Sequence, residues 1–223
     1  MMNVKQIGRY EVAICLPEGE FDTVFYTVEM NAKSVEAVWQ QFENPNFALV
    51  GVTGVDWFGD LSPWPAPAVF RGAADFAGGA PELLHYLVNE CIPQVEAQIG
   101  VPKHRGISGY SLAGLFSVYA FYETALFTRV GCVSGSMWYD GFMDYIAARK
   151  PQVAEARIHF SVGDKEPRTK NKRMCIVDSC MKQADAMLRE QGYTSCFRYN
   201  EGDHMDNMPQ RCRKAVQWLM TNE

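Results

Sequence analysis

The 223-residue sequence has no apolar run approaching the roughly 20 residues that cross a bilayer, and its start, Met-Met-Asn-Val-Lys-Gln-Ile-Gly-Arg, lacks the apolar core of a signal peptide. A cytoplasmic protein with no membrane partner is expected. No C-x-x-C occurs, and seven cysteines (Cys15, Cys91, Cys132, Cys175, Cys180, Cys196, Cys212) at irregular spacing suit reduced, mostly buried thiols better than a disulfide framework. Cys175 and Cys180 would stand about 140° apart on a helix, a poor metal pair. Walker A, G-x-G-x-x-G and H-E-x-x-H patterns are also missing, and Gly51-Val-Thr-Gly-Val is too short to mark a nucleotide, so no cofactor and no metal are expected. Basic excess is absent too. The 21 Lys+Arg and 26 Asp+Glu leave a net charge of −5, which gives phosphate backbones nothing general to bind and argues against nucleic acid as a partner. No repeat, Ser-rich linker or charge block marks a domain boundary. With 48% hydrophobic residues the chain can bury one sizeable core, and a single domain spanning residues 1–223 is expected; oligomeric state leaves no sequence signal.

What is present is a repeated strand, loop, helix rhythm, the signature of an α/β fold with a mostly parallel central sheet and helices on both faces. Strands are predicted at Tyr10 to Leu16, Thr23 to Val28, Phe47 to Val52, His104 to Gly109, Val130 to Ser134, Ile158 to Val162 and Ser195 to Tyr199. Helices are predicted at Ser34 to Phe42, Pro81 to Ile99, Leu112 to Thr124, Asp140 to Arg149, Lys172 to Gln191 and Pro209 to Met220. Only about 23 residues separate Ser134 from Ile158, enough for one helix and too few for a cap domain. Thr53 to Gly79 is a long connection rich in Gly, Pro, Trp and Phe, and its aromatics argue for function over disorder.

The most informative segment is His104-Arg-Gly-Ile-Ser-Gly-Tyr-Ser-Leu-Ala-Gly-Leu-Phe-Ser-Val-Tyr-Ala, in which a strand runs through Gly109-Tyr-Ser-Leu-Ala-Gly114 into an apolar helix. That is the context of a nucleophile elbow, with small residues where strand and helix approach closely. Ala113 stands where the commonest G-x-S-x-G pattern has its second glycine, and Gly114 follows it. The bland reading makes Ser111 a helix N-cap. A serine hydroxyl is a weak nucleophile without a base, so the deciding question is whether an acid and a histidine follow in that order. They do. Phe160-Ser-Val-Gly-Asp-Lys-Glu and Asn200-Glu-Gly-Asp-His are both strand-to-loop transitions, on the edge where α/β sheets place ligands. His204 is the candidate base, because His85, His104 and His159 fall inside predicted elements. Glu166, three positions past Gly163, is preferred as the acid over Asp164. A metal reading of Asp203-His204-x-Asp206 lacks a second histidine.

Asp56-Trp57, Leu61-Ser-Pro-Trp-Pro-Ala-Pro67, Gly109-Tyr-Ser-Leu-Ala-Gly114, Ser134-Gly-Ser-x-Trp138, Gly163-Asp-Lys-Glu-Pro-Arg-Thr169 and Gly202-Asp-His204 together resemble the putative esterase family of α/β hydrolases. That family includes enterobactin-type siderophore esterases, S-formylglutathione hydrolases and carbohydrate acetyl or feruloyl esterases. The resemblance runs from about Val50 to the C-terminus. It implies an α/β-hydrolase fold without a cap, nucleophile Ser111, base His204, an acid from the Gly163 to Glu166 turn, and a small-molecule ester substrate. It also implies an oxyanion hole from the N–H of Leu112 and one near Asp56 or Trp57, on the loop after the third predicted strand. Trp64, Trp138 and Tyr139 are candidate substrate contacts, with ordinary loop packing the equal alternative. The expected activity is hydrolysis of an acyl ester through an acyl-serine. Transfer of the acyl group to an alcohol or thiol, or a binding role on the same scaffold, are the rival readings.

Overall fold

The computed structural model describes residues 2–221. An eight-stranded sheet is built from β1 (Met2–Ile7), β2 (Tyr10–Cys15), β3 (Thr23–Val28), β4 (Ala48–Thr53), β7 (His104–Tyr110), β8 (Arg129–Val133), β9 (Arg157–Gly163) and β10 (Thr194–Asn200). Its strand order is β1-β2-β4-β3-β7-β8-β9-β10. The β1–β2 and β2–β4 pairs are antiparallel, and all pairs from β4 through β10 are parallel. β3 and β4 are buried at every residue, as expected for strands covered on both faces. A two-stranded ribbon, β5 (Pro65–Ala66) with β6 (Phe76–Ala77), lies inside the long connection after β4.

Helices cover both faces. On one side α1 (Ala32–Trp39) and α7 (Met208–Met220) bury Val35, Val38, Ala215, Val216 and Leu219 against the sheet. On the other lie α2 (Ala80–Tyr86), α3 (Ile92–Ile99), α4 (Leu112–Glu123), α5 (Phe142–Ala147) and α6 (Val177–Glu190). All of α4 except Glu123 is buried, so it runs through the core with no polar face. The single helix expected over Pro81 to Ile99 is two helices joined by a π-helical turn at Leu87–Cys91. Pro93 explains the widening, since it lacks an N–H and its ring would collide with the carbonyl four residues back. The interval between β8 and β9 holds α5 and no further helix, which agrees with a capless hydrolase fold. Among the described residues, no helix is long and apolar enough to cross a membrane.

β1 was absent from the sequence reading. Only Ile7 of this edge strand is fully buried, and Met2 to Gln6 read as a polar N-terminal segment. The omission matters, because Thr23–Val28 becomes the third strand and Ala48–Thr53 the fourth.

Just past β3 lies Glu29, 4% exposed, whose carboxylate accepts a 3.3 Å hydrogen bond from the Thr27 hydroxyl and forms no ion pair among the described residues. Burial pushes its pKa up to about 7, against the smaller opposing effect of that bond. The folded state therefore prefers the neutral acid. Its stabilising effect is complete below the unfolded value near 4.5 and disappears as pH rises through about 7. Glu29→Gln should match the parent in stability near pH 4 and exceed it by roughly 3 kcal/mol at pH 8, measured by denaturant unfolding across that range.

Candidate active site

The sharpest feature of the backbone is at the end of β7. Ser111 has φ 59° and ψ −121°, a conformation that costs a non-glycine residue about 1–3 kcal/mol and holds its side chain above the sheet edge. The turn closes because its neighbours are small. A Cβ on Gly109 would lie 2.3 Å from the Ala113 carbonyl oxygen, and one on Gly114 would lie 2.9 Å from that of Gly109. Ala113 itself fits, buried against the strand. The Ser111 carbonyl accepts from Gly114, Leu115 and Ser136, whereas the N–H groups of Leu112 and Ala113 have no acceptor among the described residues. The latter two are the open donors of a helix N-terminus, where negative charge is favoured.

Two further loops converge on this serine. His204, from the β10–α7 loop, has Nε2 3.1 Å from Ser111 Oγ, and its Nδ1 is 2.7 Å from Glu166 Oε2. An ionised carboxylate can only accept, so Nδ1 carries the proton and Nε2 is left free to accept from the serine hydroxyl. The other Glu166 oxygen accepts from the Gly163 N–H (2.7 Å), the Ser134 hydroxyl (2.7 Å) and Arg211 Nη1 (3.2 Å). Burial alone would raise the Glu166 pKa. The hydrogen bond and charge of His204, with the donors Gly163 and Ser134, outweigh it and hold the carboxyl below its ordinary value.

Asp164 is turned elsewhere, accepting 2.8 Å from the Gly202 N–H. It shapes the His204 loop and does not meet the imidazole. Asp203 and Asp206 are likewise engaged with loop amides, those of Met205 and Asp203. His159 is 3% exposed inside β9, and burial pushes its pKa down to about 4.

Arg211 was missed. It is 1% exposed, and besides Glu166 it donates to Tyr110 Oη (3.1 Å), Ser134 Oγ (3.1 Å) and the carbonyls of Glu201 (2.8 Å) and Asp203 (2.7 Å). Tyr110 in turn donates 2.7 Å to the His204 carbonyl. A signal was available in the sequence: Arg211, Ala215 and Leu219 recur at helical spacing on the buried face of α7, leaving one cation in an apolar stripe.

The aromatic candidates divide. Trp138 lines a cleft of about 440 Å³ beside His204 and Glu166. Tyr139, 2% exposed, is instead a brace, its hydroxyl bonded to the Trp64 carbonyl. Trp64 packs on Tyr139 and Tyr145 and donates its indole N–H to the Asp140 carbonyl at 2.9 Å, so it pins the long loop to the segment before α5. Neither Tyr139 nor Trp64 lines that cleft. Trp57 is corrected as well. It follows β4, which β3 separates from the nucleophile strand β7, and it packs half-buried on the main core. The loop beside β7 is the one after β3, where the N–H groups of Met30 and Asn31 have no described acceptor.

Residues 25–207 match the protein family described as "Putative esterase". An uncharacterized protein, YbbA of Bacillus subtilis (strain 168), is 29% identical over 194 residues, covering 83% of this chain and 78% of that one. An IroE-like serine hydrolase from Shewanella oneidensis has a similar fold, with TM-score 0.85 at 16% identity over 98% of this chain and 79% of that one. The siderophore hydrolase EstA from Aspergillus nidulans superposes with TM-score 0.73 at 18% identity, covering 98% and 93%.

Arg211→Met should destabilise the fold by about 3 kcal/mol or more, because it removes a charged donor from the buried Glu166 carboxylate and from the Glu201 and Asp203 carbonyls. Arg211→Lys should recover part of that loss. Urea unfolding of the two variants checks the ranking.

Proposed function

Since this chain belongs to the putative esterase family of α/β hydrolases, we propose that it cleaves small-molecule acyl esters, with Ser111 as nucleophile, His204 as base and Glu166 as the acid. The observation that carries this reading is the unbroken relay from Ser111 Oγ to His204 (3.1 Å) and from His204 to Glu166 (2.7 Å). His204 takes the serine proton as Oγ attacks the ester carbonyl, then gives it to the leaving oxygen, and the acyl-serine remains. Water activated by the same imidazole releases the acid. Glu166 keeps Nδ1 protonated and stabilises the imidazolium without itself accepting the proton.

The oxyanion is assigned to the Leu112 N–H together with an amide of the loop after β3, from Met30 or Asn31. Fixed donors aimed at developing charge need no reorganisation as the reaction proceeds, and losing one typically costs on the order of 3 kcal/mol.

Ser111→Ala should lower ester turnover by at least about 10⁴-fold and abolish stoichiometric labelling by a fluorophosphonate, while the unfolding transition is not lowered. Retained turnover in that variant would overturn the mechanism. Glu166→Gln should reduce kcat by about 10⁴-fold and Asp164→Asn by far less, since only the first oxygen pair meets the imidazole. The reverse order in steady-state kinetics would reassign the acid.

Chain-length preference follows from the walls. Only α5 separates β8 from β9, and the long loop is tied down by Arg173 to the Pro67 carbonyl (2.7 Å) and Asn171 to the Val69 carbonyl (2.8 Å). Neither element forms a tunnel for an extended acyl chain, and each methylene left in water forfeits up to about 0.8 kcal/mol. kcat/KM on 4-nitrophenyl esters is therefore expected to peak at short acyl chains, with no rate jump at the critical micelle concentration. A maximum at a long-chain ester would show that the loop opens as a lid.

A further inference from the structure

The segment from Asp164 to Arg173 reverses the sign of the protein. The chain as a whole is at −5, yet these ten residues carry Lys165, Arg168, Lys170, Lys172 and Arg173 against Asp164 and Glu166. Two of the five cations, Lys165 and Arg168, line the 440 Å³ cleft that shares His204 and Glu166 with the relay. Neither forms an ion pair among the described residues, whereas Arg173 is spent on Asp140 at 2.8 Å. The carboxylates around them are engaged: Glu166 with His204 and Arg211, Asp164 with the Gly202 amide, Asp203 with the Met205 amide. Trp138, Met174 and Met205 supply an apolar wall in the same cleft. Met205 is 84% exposed, an unusual state for a large apolar side chain beside a polar loop.

From this arrangement we infer that the cleft receives the leaving alcohol of the ester, and that this alcohol has an apolar body bearing an anionic group held by Lys165 and Arg168. The inference rests on the esterase reading above and adds the substrate class. The direction follows from proton transfer. His204 Nε2 must reach the leaving oxygen to protonate it, so the departing group lies on the imidazole side of Ser111, where the cleft opens. A carboxylate there gains charge-assisted hydrogen bonds from two cations that form no ion pair among the described residues, next to walls that take an aromatic or aliphatic body. The acyl half stays on the far side of the serine and carries no such requirement.

The test uses the purified protein with two esters of one acyl group, 4-acetoxybenzoate and the neutral 4-acetoxybenzamide. The anionic ester should show kcat/KM about tenfold higher, chiefly through KM, with the preference shrinking as NaCl screens the cations. Lys165→Gln with Arg168→Gln should reduce that ratio to near one. Acyl-side esters, 4-nitrophenyl hydrogen succinate against 4-nitrophenyl butyrate, should show no preference for the anion. Equal rates for the first pair, a ratio untouched by the double variant, or a preference confined to the acyl-side pair would each overturn the inference while leaving the esterase reading intact. Binding of the product 4-hydroxybenzoate to Ser111→Ala protein, measured by calorimetry, gives a readout independent of turnover. Binding weakened about tenfold by the double variant supports the inference, and no binding overturns it. Failure of the esterase reading is recognised separately, by absent fluorophosphonate labelling of Ser111.

Discussion

The architecture of the site depends on one buried cation. Arg211 extends from α7 beneath the C-terminal edge of the sheet and touches the ends of four structures at once: Tyr110 at the close of β7, Ser134 at the close of β8, Glu166 past β9, and the Glu201–Asp203 carbonyls past β10. Parallel strands end each in its own loop, and backbone bonds tie those loops only to the next strand's, as Lys165 N–H to the Gly202 carbonyl and Ser136 N–H to the Ser111 carbonyl do. A guanidinium joins all four because its planar fork offers several donors in fixed directions. Burying it is unfavourable unless its donors are met, and its two terminal nitrogens are met by the groups that bear the relay and by the carbonyls of the His204 loop. Burial alone would favour the neutral acid at Glu166, and the His204 imidazole with the Gly163 and Ser134 donors holds its carboxyl below the ordinary value.

Strain is concentrated at the same edge. Ser111 and Ser134 both hold positive φ without being glycine, and each lies immediately past the end of its strand. Each is restrained by bonds on either side. Ser111 is fixed by three amides on its carbonyl, and Ser134 by its N–H to the Ser161 carbonyl and its hydroxyl to Glu166. Such conformations persist only where surrounding structure over-determines them. Here the surroundings are the buried α4 and the Arg211 cluster, so core packing and site geometry are coupled through two residues.

Most of this was legible in the sequence, and what was not has physical causes. Seven of the eight main strands follow from short apolar runs bounded by Gly, Asp or Pro, and Ser111, Glu166 and His204 from an elbow with acid and histidine in order downstream. Glu166 over Asp164 came from a turn of three residues, and the structure brings Glu166 alone to the imidazole. β1 escaped because an edge strand paired on one side keeps polar residues and shows no continuous apolar run. That single omission moved the strand count by one, so the loop of Asp56 and Trp57, expected after the third strand, follows β4, and the loop beside β7 is the one after β3. Tyr139 and Trp64 escaped for another reason: an aromatic near a sheet edge looks the same in sequence whether it faces a ligand or braces a loop. Arg211 needed the helical face of α7 to be read for its exception and not for its pattern.

Glu29 and Glu166 make the last point about how environment assigns roles at one sheet edge. Both are buried carboxyls at the C-terminal ends of parallel strands, β3 and β9, and burial acts on both in the same direction. Glu166 has an imidazole and two neutral donors, which outweigh burial, and its pKa falls. Glu29 has the Thr27 hydroxyl, and its pKa rises to about 7. The difference suits the chemistry proposed at each end of the reacting ester. Charge on Glu166 favours the imidazolium that forms on His204, whereas charge on Glu29, beside the amides assigned to the oxyanion, would oppose the negative charge growing there. A site of this kind is served by one carboxylate held ionised and another biased toward its neutral form. The same residue type serves both ends, with an imidazole and two neutral donors around one carboxyl and a single hydroxyl beside the other.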